Sequence, residues 1–258
     1  MAIVISFANN KGGVGKTTTT LVMAQAFARM GKKTLLIDLD SQANLTLFLG
    51  EIEPTARELT ISDAFKSPDL LPIEKIQDNI DLIPADLNLA NFDAETASKP
   101  ERLYLLDDLV QKVRPDYDFI LMDCPPALGN ITYNAFIASD FLVMVTTPDE
   151  LSHQGLKMIY KVFQHVVSNP RLNPKLRLAG TIITKYEKNR NSELFLKLIR
   201  EDANIRIIEP VINKATRIAQ ATSSRQSIFD FDPTGKATLQ YVEVAKTLAL
   251  RVITEQKK

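Results

Sequence analysis

Residues 9–18 read Asn-Asn-Lys-Gly-Gly-Val-Gly-Lys-Thr-Thr and follow directly on the apolar run at 2–8. A strand feeding a glycine-rich loop that ends in Gly-Lys-Thr is a cradle for phosphate. Gly12, Gly13 and Gly15 let backbone amides, that of Val14 among them, converge on an anion where bulkier side chains would collide. A helix starting near Lys16 points its positive end at the same anion. Lys16 supplies a mobile charge for the β- and γ-phosphates, and the Thr17 hydroxyl is a ligand for Mg²⁺. Two further runs end in carboxylates: Leu35-Leu-Ile-Asp-Leu-Asp40 and Phe119-Ile-Leu-Met-Asp123. An acid closing such a strand, Asp123 here, can hold Mg²⁺ opposite Thr17, commonly through a water. These spacings predict a chain that binds a nucleoside triphosphate with magnesium. Lys11 is a second lysine in the loop, at a position where phosphate binding alone requires none.

The elements that must carry these groups alternate along the chain. Apolar, β-branched runs at 3–8, 33–39, 80–84, 119–123, 141–147 and 178–184 show little polar alternation, as strands covered on both faces do. Helical patterns fall between them at 17–30, 100–113, 130–139, 151–168, 191–203 and 236–256. The order predicts a three-layer α/β fold: a mostly parallel twisted sheet flanked by helices on both faces, with ligands at the carboxyl edge. No repeat or linker divides residues 1–258, so one domain is expected. The polar stretch 51–78, with Pro54, Pro68 and Pro72, reads as short helices and loops, and Asp232-Pro-Thr-Gly235 as the turn before the last helix.

Composition narrows the function further. One cysteine, Cys124, and two histidines exclude thiolate-rich or histidine-rich metal sites and suit a reducing cytoplasm. No apolar run approaches the roughly 20 residues that span a bilayer. Met1 leads straight into the first strand, so neither a leader nor a preceding helix-turn-helix is expected. Net charge is zero, but residues 171–258 hold 17 Lys and Arg against 9 Asp and Glu. That excess points to a surface facing a polyanion.

The motifs together resemble one family. Lys11-Gly-Gly-Val-Gly-Lys-Thr-Thr18 is similar to the deviant Walker A loop of the ParA/MinD group of P-loop ATPases. Residues 38–46 (DLDSQANLT) and 116–136 (DYDFILMDCPPALGNITYNAF) resemble characteristic blocks of ParA/Soj-type partition ATPases, as do 211–222 and 231–246 more loosely. The resemblance implies a P-loop NTPase fold, ATP and Mg²⁺ as cofactors, and an ATP-bound homodimer in which Lys11 reaches the partner's phosphates. It implies that Gly12 lies where two loops approach, that Thr18 bonds the α-phosphate, that Asp40 positions the attacking water, and that Asp38 supports the metal shell beside Asp123. Lys11, Lys16 and Asp40 would be the catalytic set, and the segment 210–222, with Pro210 and Ile212, would lie near the adenine. Ser41, Ala43, Asn213 and Thr222 depart from the family pattern.

The same resemblance implies nonspecific double-stranded DNA as a ligand, with release on hydrolysis stimulated by a ParB-like centromere-binding protein, and a nucleoid-associated location. Arg190 and Arg217 are the leading phosphate contacts, followed by Lys188, Lys214 and Arg225. Whether Lys188 or Arg190 takes the family arginine's place is open. The alternative is a Min-like membrane-cycling or protein-cargo-positioning ATPase. The ending 246–258 lacks the bulky aromatics of a membrane-targeting helix, so no stable membrane association is expected.

Overall fold

The computed structural model describes residues 1–49 and 59–257. Seven strands form one sheet in the order β3-β4-β2-β5-β1-β6-β7. They are β1 (Ile3–Ala8), β2 (Thr34–Asp38), β3 (Glu74–Gln77), β4 (Ile80–Ile83), β5 (Phe119–Asp123), β6 (Phe141–Thr146) and β7 (Arg177–Ile183). All neighbours pair in parallel except β3, which runs antiparallel along β4 at the edge. β1, β2, β5 and β6 are buried along their whole length.

Side chains alternate across each strand, and the alternation divides the core in two. Ile3, Ile5 and Phe7 of β1 face the layer of α1 (Lys16–Arg29) and α11 (Lys236–Gln256). Val4 and Ala8 face the layer of α5 (Leu105–Val113), α6 (Asn130–Ala138), α7 (Glu150–Ser168) and α8 (Arg190–Glu201). The expected three layers and all six expected strands are present. The last helix packs inward through Tyr241, Val244, Leu248 and Val252. Among the described residues, no helix is long and apolar enough to cross a membrane.

Several elements differ from the sequence reading. β3 holds one apolar residue, Ile76, among three polar ones, and is a strand only because β4 offers it an edge; its charges suit that edge. α2 (Asn44–Leu49) is too short to show periodicity. α9 (Thr216–Ser223) buries only Ala221, so it reads as loop. In the helix expected over 100–113, residues 101–104 are turn. The stretch 51–78 contains α3 (Ile61–Lys66) and β3, while its residues 51–58 lie outside the described part. The remaining helices are α4 (Phe92–Thr96) and α10 (Ile228–Phe231).

Candidate nucleotide and metal site

The parallel strands bring the carboxyl ends of β1, β2, β5, β6 and β7 to one edge, and every group described below sits there. The loop after β1 turns through left-handed backbone at Gly13 (φ 74°) and Gly15 (φ 85°), where a side chain would be strained. Thr184, just after β7, donates its hydroxyl to the Val14 carbonyl at 2.6 Å, and the Lys185 ammonium reaches the Gly13 carbonyl at 2.6 Å. Buried Asn9 ties the loop's start to β6, donating its amide to the Val145 carbonyl at 2.7 Å. With those carbonyls held, the amides of Gly12, Gly13, Val14 and Gly15 donate to nothing among the described residues. Four free donors at a helix N-terminus make a nest for an anion. Lys16, the first residue of α1, is 7% exposed, while Thr17 and Thr18 are half-buried on the helix's first turn.

Three carboxylates face this loop. Strand register sets Asp38 directly opposite Asp123. One Asp38 oxygen accepts from the Asp40 amide at 3.1 Å, and the other from the amide and hydroxyl of Thr46 at 2.9 and 2.8 Å. Asp123 keeps one buried oxygen without a partner among the described residues. Burial pushes the Asp123 carboxyl well above the usual carboxylate range; the Asp38 charge adds to this, while the Thr17 side chain and the Lys16 charge oppose it. Asp38 moves the same way through burial, moderated by its bonds from Thr46 and Asp40. An orphaned oxygen in an acid pair whose ionisation is suppressed fits a divalent cation, which would satisfy the one and relieve the other. Thr17 and Asp123 are the groups that could hold Mg²⁺. Of the two strand-end acids, the structure leaves the free oxygen on Asp123 rather than Asp38, because Thr46 already occupies the latter. Asp40 is half-buried and accepts from the Gln42 amide at 3.0 Å through one oxygen.

Lys11 turns away from the loop that carries it. Its ammonium lies 2.8 Å from Asp149 and 3.1 Å from the Ser152 hydroxyl, at the start of α7. Asp149 also caps α7, accepting from the Ser152 amide at 3.0 Å. Burial alone would raise its carboxyl, but the bonds from Lys11, Thr147 and Ser152 outweigh that and bring it to about 2. This acid was not found by sequence reasoning; an Asp three residues before a Ser at a helix start reads only as a cap. Burial pushes the Cys124 thiol up, in keeping with an inert packed side chain.

A cavity of about 310 Å³ opens beside Gly15 and Thr18, walled by Ile212, Ala215, Ile218 and Tyr241. Ile212 lies where expected. Pro210 does not line this cavity, because the chain follows β7 from Ile208 and reaches the site only at Ile212. Lys214, expected on DNA, lines the cavity and pairs with Glu187 at 3.2 Å. Lys185 and Asn213 also line it, and neither was predicted as a site residue. Of the remaining expected cations, Lys188, Arg190, Arg217 and Arg225 are exposed. Arg217 stacks 5.0 Å over the Phe231 ring. The parallel bridge between Tyr186 and Asn213 brings the loop of Lys188 and Arg190 beside the segment leading to Arg217. Arg225 lies beyond the other end of α9.

Comparison with known proteins gives a consistent picture. The family model described as an AAA domain matches residues 2–178. The sporulation initiation inhibitor protein Soj of Bacillus subtilis is 30% identical over 96% of this chain and 99% of its own length. The chromosome partitioning protein ParA of Caulobacter vibrioides is 31% identical over 99% of this chain and 97% of its own. Among solved structures, cobyrinic acid a,c-diamide synthase from Mycobacterium smegmatis, with bound ATP analog and magnesium, is 26% identical with a TM-score of 0.84, over 100% of this chain and 98% of that one.

Proposed function

This chain belongs to the ParA/Soj-type partition ATPases, and from that membership we propose that residues 1–258 act as one Mg²⁺-dependent ATPase domain whose ATP-bound homodimer holds nonspecific double-stranded DNA. One observation carries the dimer. Lys16 is enclosed by the loop and serves its own site, whereas Lys11 is a third exposed and points away from it. A lysine held by one partly exposed carboxylate and one hydroxyl, both outside its own loop, can be released to serve a second protomer's phosphates.

The loop amides and Lys16 bind the phosphates, Thr18 bonds the α-phosphate, and Ile212 packs against the nucleoside. Thr17 and Asp123, with Asp38 behind them, would hold Mg²⁺, which would neutralise phosphate charge. Asp40 orients the attacking water through the oxygen that Gln42 does not occupy. Lys11 touches phosphate in ground state and transition state alike, which adds affinity more than rate. An arginine finger, by contrast, supplies roughly 10³–10⁵ in turnover. Basal hydrolysis is therefore slow, and a ParB-like centromere-binding partner accelerates it. Lys188 in its loop, Arg190 at the start of α8 and Arg217 on α9, with Arg225 beyond them, form the DNA face. Dimerisation doubles the phosphate contacts on that face, so ATP gates retention on the nucleoid. The inward packing of α11 supports this reading over membrane cycling.

The test is retention of purified protein on duplex DNA with ATP, ADP or no nucleotide. ATP-dependent retention is expected, falling roughly 10³-fold in affinity between 50 and 200 mM salt if about six phosphates are neutralised. Asp40→Ala should bind ATP and dimerise without hydrolysing it, and Arg217→Glu should dimerise without holding DNA. Retention that ignores nucleotide refutes the switch.

A further inference from the structure

Resting on the reading that the loop holds a nucleoside triphosphate, the cavity beside Gly15 and Thr18 is where the ribose and base must lie. Its walls are largely apolar, and a base stacked among Ile212, Ala215, Ile218 and Ala219 gains burial without any choice between purines. Discrimination needs a polar group of fixed sense. Asn213 lines this cavity, and its side chain has its sense fixed by a short chain of bonds.

The Asn213 backbone amide donates to Gln240 Oε1 at 2.9 Å, and an amide N–H can do nothing but donate. That fixes Gln240 with its oxygen toward the backbone and its Nε2 free to donate. Gln240 Nε2 in turn donates to Asn213 Oδ1 at 2.7 Å. The Asn213 oxygen is thereby spent, and its Nδ2 group donates to nothing among the described residues. Neither carboxamide can flip without breaking a bond. The backbone around them is also held: Tyr186 donates to the Ile212 carbonyl at 2.9 Å, and Lys214 donates to the Tyr186 carbonyl at 2.9 Å. The result is a rigid donor at the rim of the base cavity, oriented by a residue of α11.

We propose that Asn213 reads the base of the bound nucleotide as a hydrogen-bond donor, with Gln240 as the positioning residue that sets its polarity, and that this pair selects adenine over guanine. The selection follows from the Watson–Crick edges. A donor set at the N1 position meets an acceptor in adenine and the N1–H donor in guanine; guanine's one acceptor on this edge, O6, stands where adenine carries its amino group, so a donor held at N1 does not meet it. A site built on one donor rejects the base that leaves it facing another donor, because a desolvated polar group is then unpaired.

The experiment measures affinities of fluorescent ATP and GTP derivatives, with Mg²⁺, for the full chain and two variants. Asn213→Asp keeps the oxygen that Gln240 needs and replaces the donor by an acceptor. Gln240→Glu leaves Asn213 in place but removes the donor that holds its oxygen; Asn213 then turns its amide to the new carboxylate and its oxygen to the base. Both variants should lower the ATP-to-GTP affinity ratio by tenfold or more. Competition by inorganic tripolyphosphate should remain, reporting an intact loop. An unchanged ratio in variants that still bind tripolyphosphate overturns the proposal, as does a change in Asn213→Asp alone, for the positioning role of Gln240. Failure of the unaltered chain to bind ATP at all refutes the broader reading and this one with it.

Discussion

Replacing Asp149 by asparagine should make the ATP-bound dimer tighter. In the single chain Asp149 holds Lys11 at 2.8 Å, and in the proposed dimer each protomer would have to break that pair before its lysine reached across. Asparagine and aspartate cap helices equally well, so the bond from the Ser152 amide survives the exchange and α7 keeps its start. What disappears is the charge, while the Thr147 and Ser152 hydroxyls, which donate to the other Asp149 oxygen at 2.5 and 2.9 Å, turn to accept from the asparagine NH₂. The two side chains are 32% and 34% exposed, so solvent screens the pair and its worth is about 0.5–1 kcal/mol. A dimer breaks two such pairs, which amounts to roughly 1–2 kcal/mol, or a dimer dissociation constant about 5- to 30-fold lower. Because the Asp149 carboxyl titrates at about 2, below the ordinary carboxylate value, the pair stabilises the monomer at every pH above that range and is lost only as pH falls through about 2. The gain should therefore be constant between pH 5 and 8. Sedimentation equilibrium in a non-cleavable ATP analogue measures it directly. In a Lys11→Ala background the Asp149→Asn exchange should do nothing. An unchanged or weaker dimer in the otherwise unaltered chain would refute the idea that this pair restrains Lys11.

Three other outcomes are expected. Gly12 lies outside the left-handed backbone region, and beyond its chain neighbours no atom of the described residues comes within 4 Å of where a β-carbon would stand, so Gly12→Val should leave the Tm within about 1 °C and still bind ATP as a monomer, yet fail to dimerise in light scattering. Asp38 and Asp123 both have folded-state pKa values raised by burial, so ionising them costs the native state increasingly as pH rises above the ordinary carboxylate value; in EDTA, Asp123→Asn should flatten the decline of Tm from pH 5 to 8, exceed the parent at pH 8 by roughly 2–8 °C, and abolish Mg²⁺-dependent hydrolysis. Ala43 sits at φ 50°, in left-handed backbone, so Ala43→Gly should stabilise the chain by about 1 kcal/mol in urea unfolding.

The phosphate loop was legible because its chemistry is local. Strand, glycines, lysine and helix start follow one another without interruption, and each constrains the backbone of the next. The same holds for β2 and β5, whose apolar runs end at their acids. Ala43 shows the limit of that legibility: its departure from the family glycine was visible, but only the backbone angle reveals the strain that the departure carries. Contacts across the sheet edge were not legible at all. Nothing in the spacing of Lys11 and Asp149, 138 residues apart, says that they meet.

The position of Lys214 against the cavity was not legible for a related reason. Lys214 counted as a cation for DNA because the C-terminal third is basic, but a charge excess says nothing of which way a given lysine faces. The bridge from Tyr186 to Asn213 turns that segment back against the nucleotide edge, so Lys214 lines the cavity and Glu187 offsets its charge. The same bridge places the loop of Lys188 and Arg190 next to the base cavity. A shift of the 212–214 segment on nucleotide binding would therefore be felt by those cations through backbone bonds alone. On the proposed function the DNA face and the base site would share a wall, and that shared wall would be a structural reason for the two ligands to be coupled in this chain.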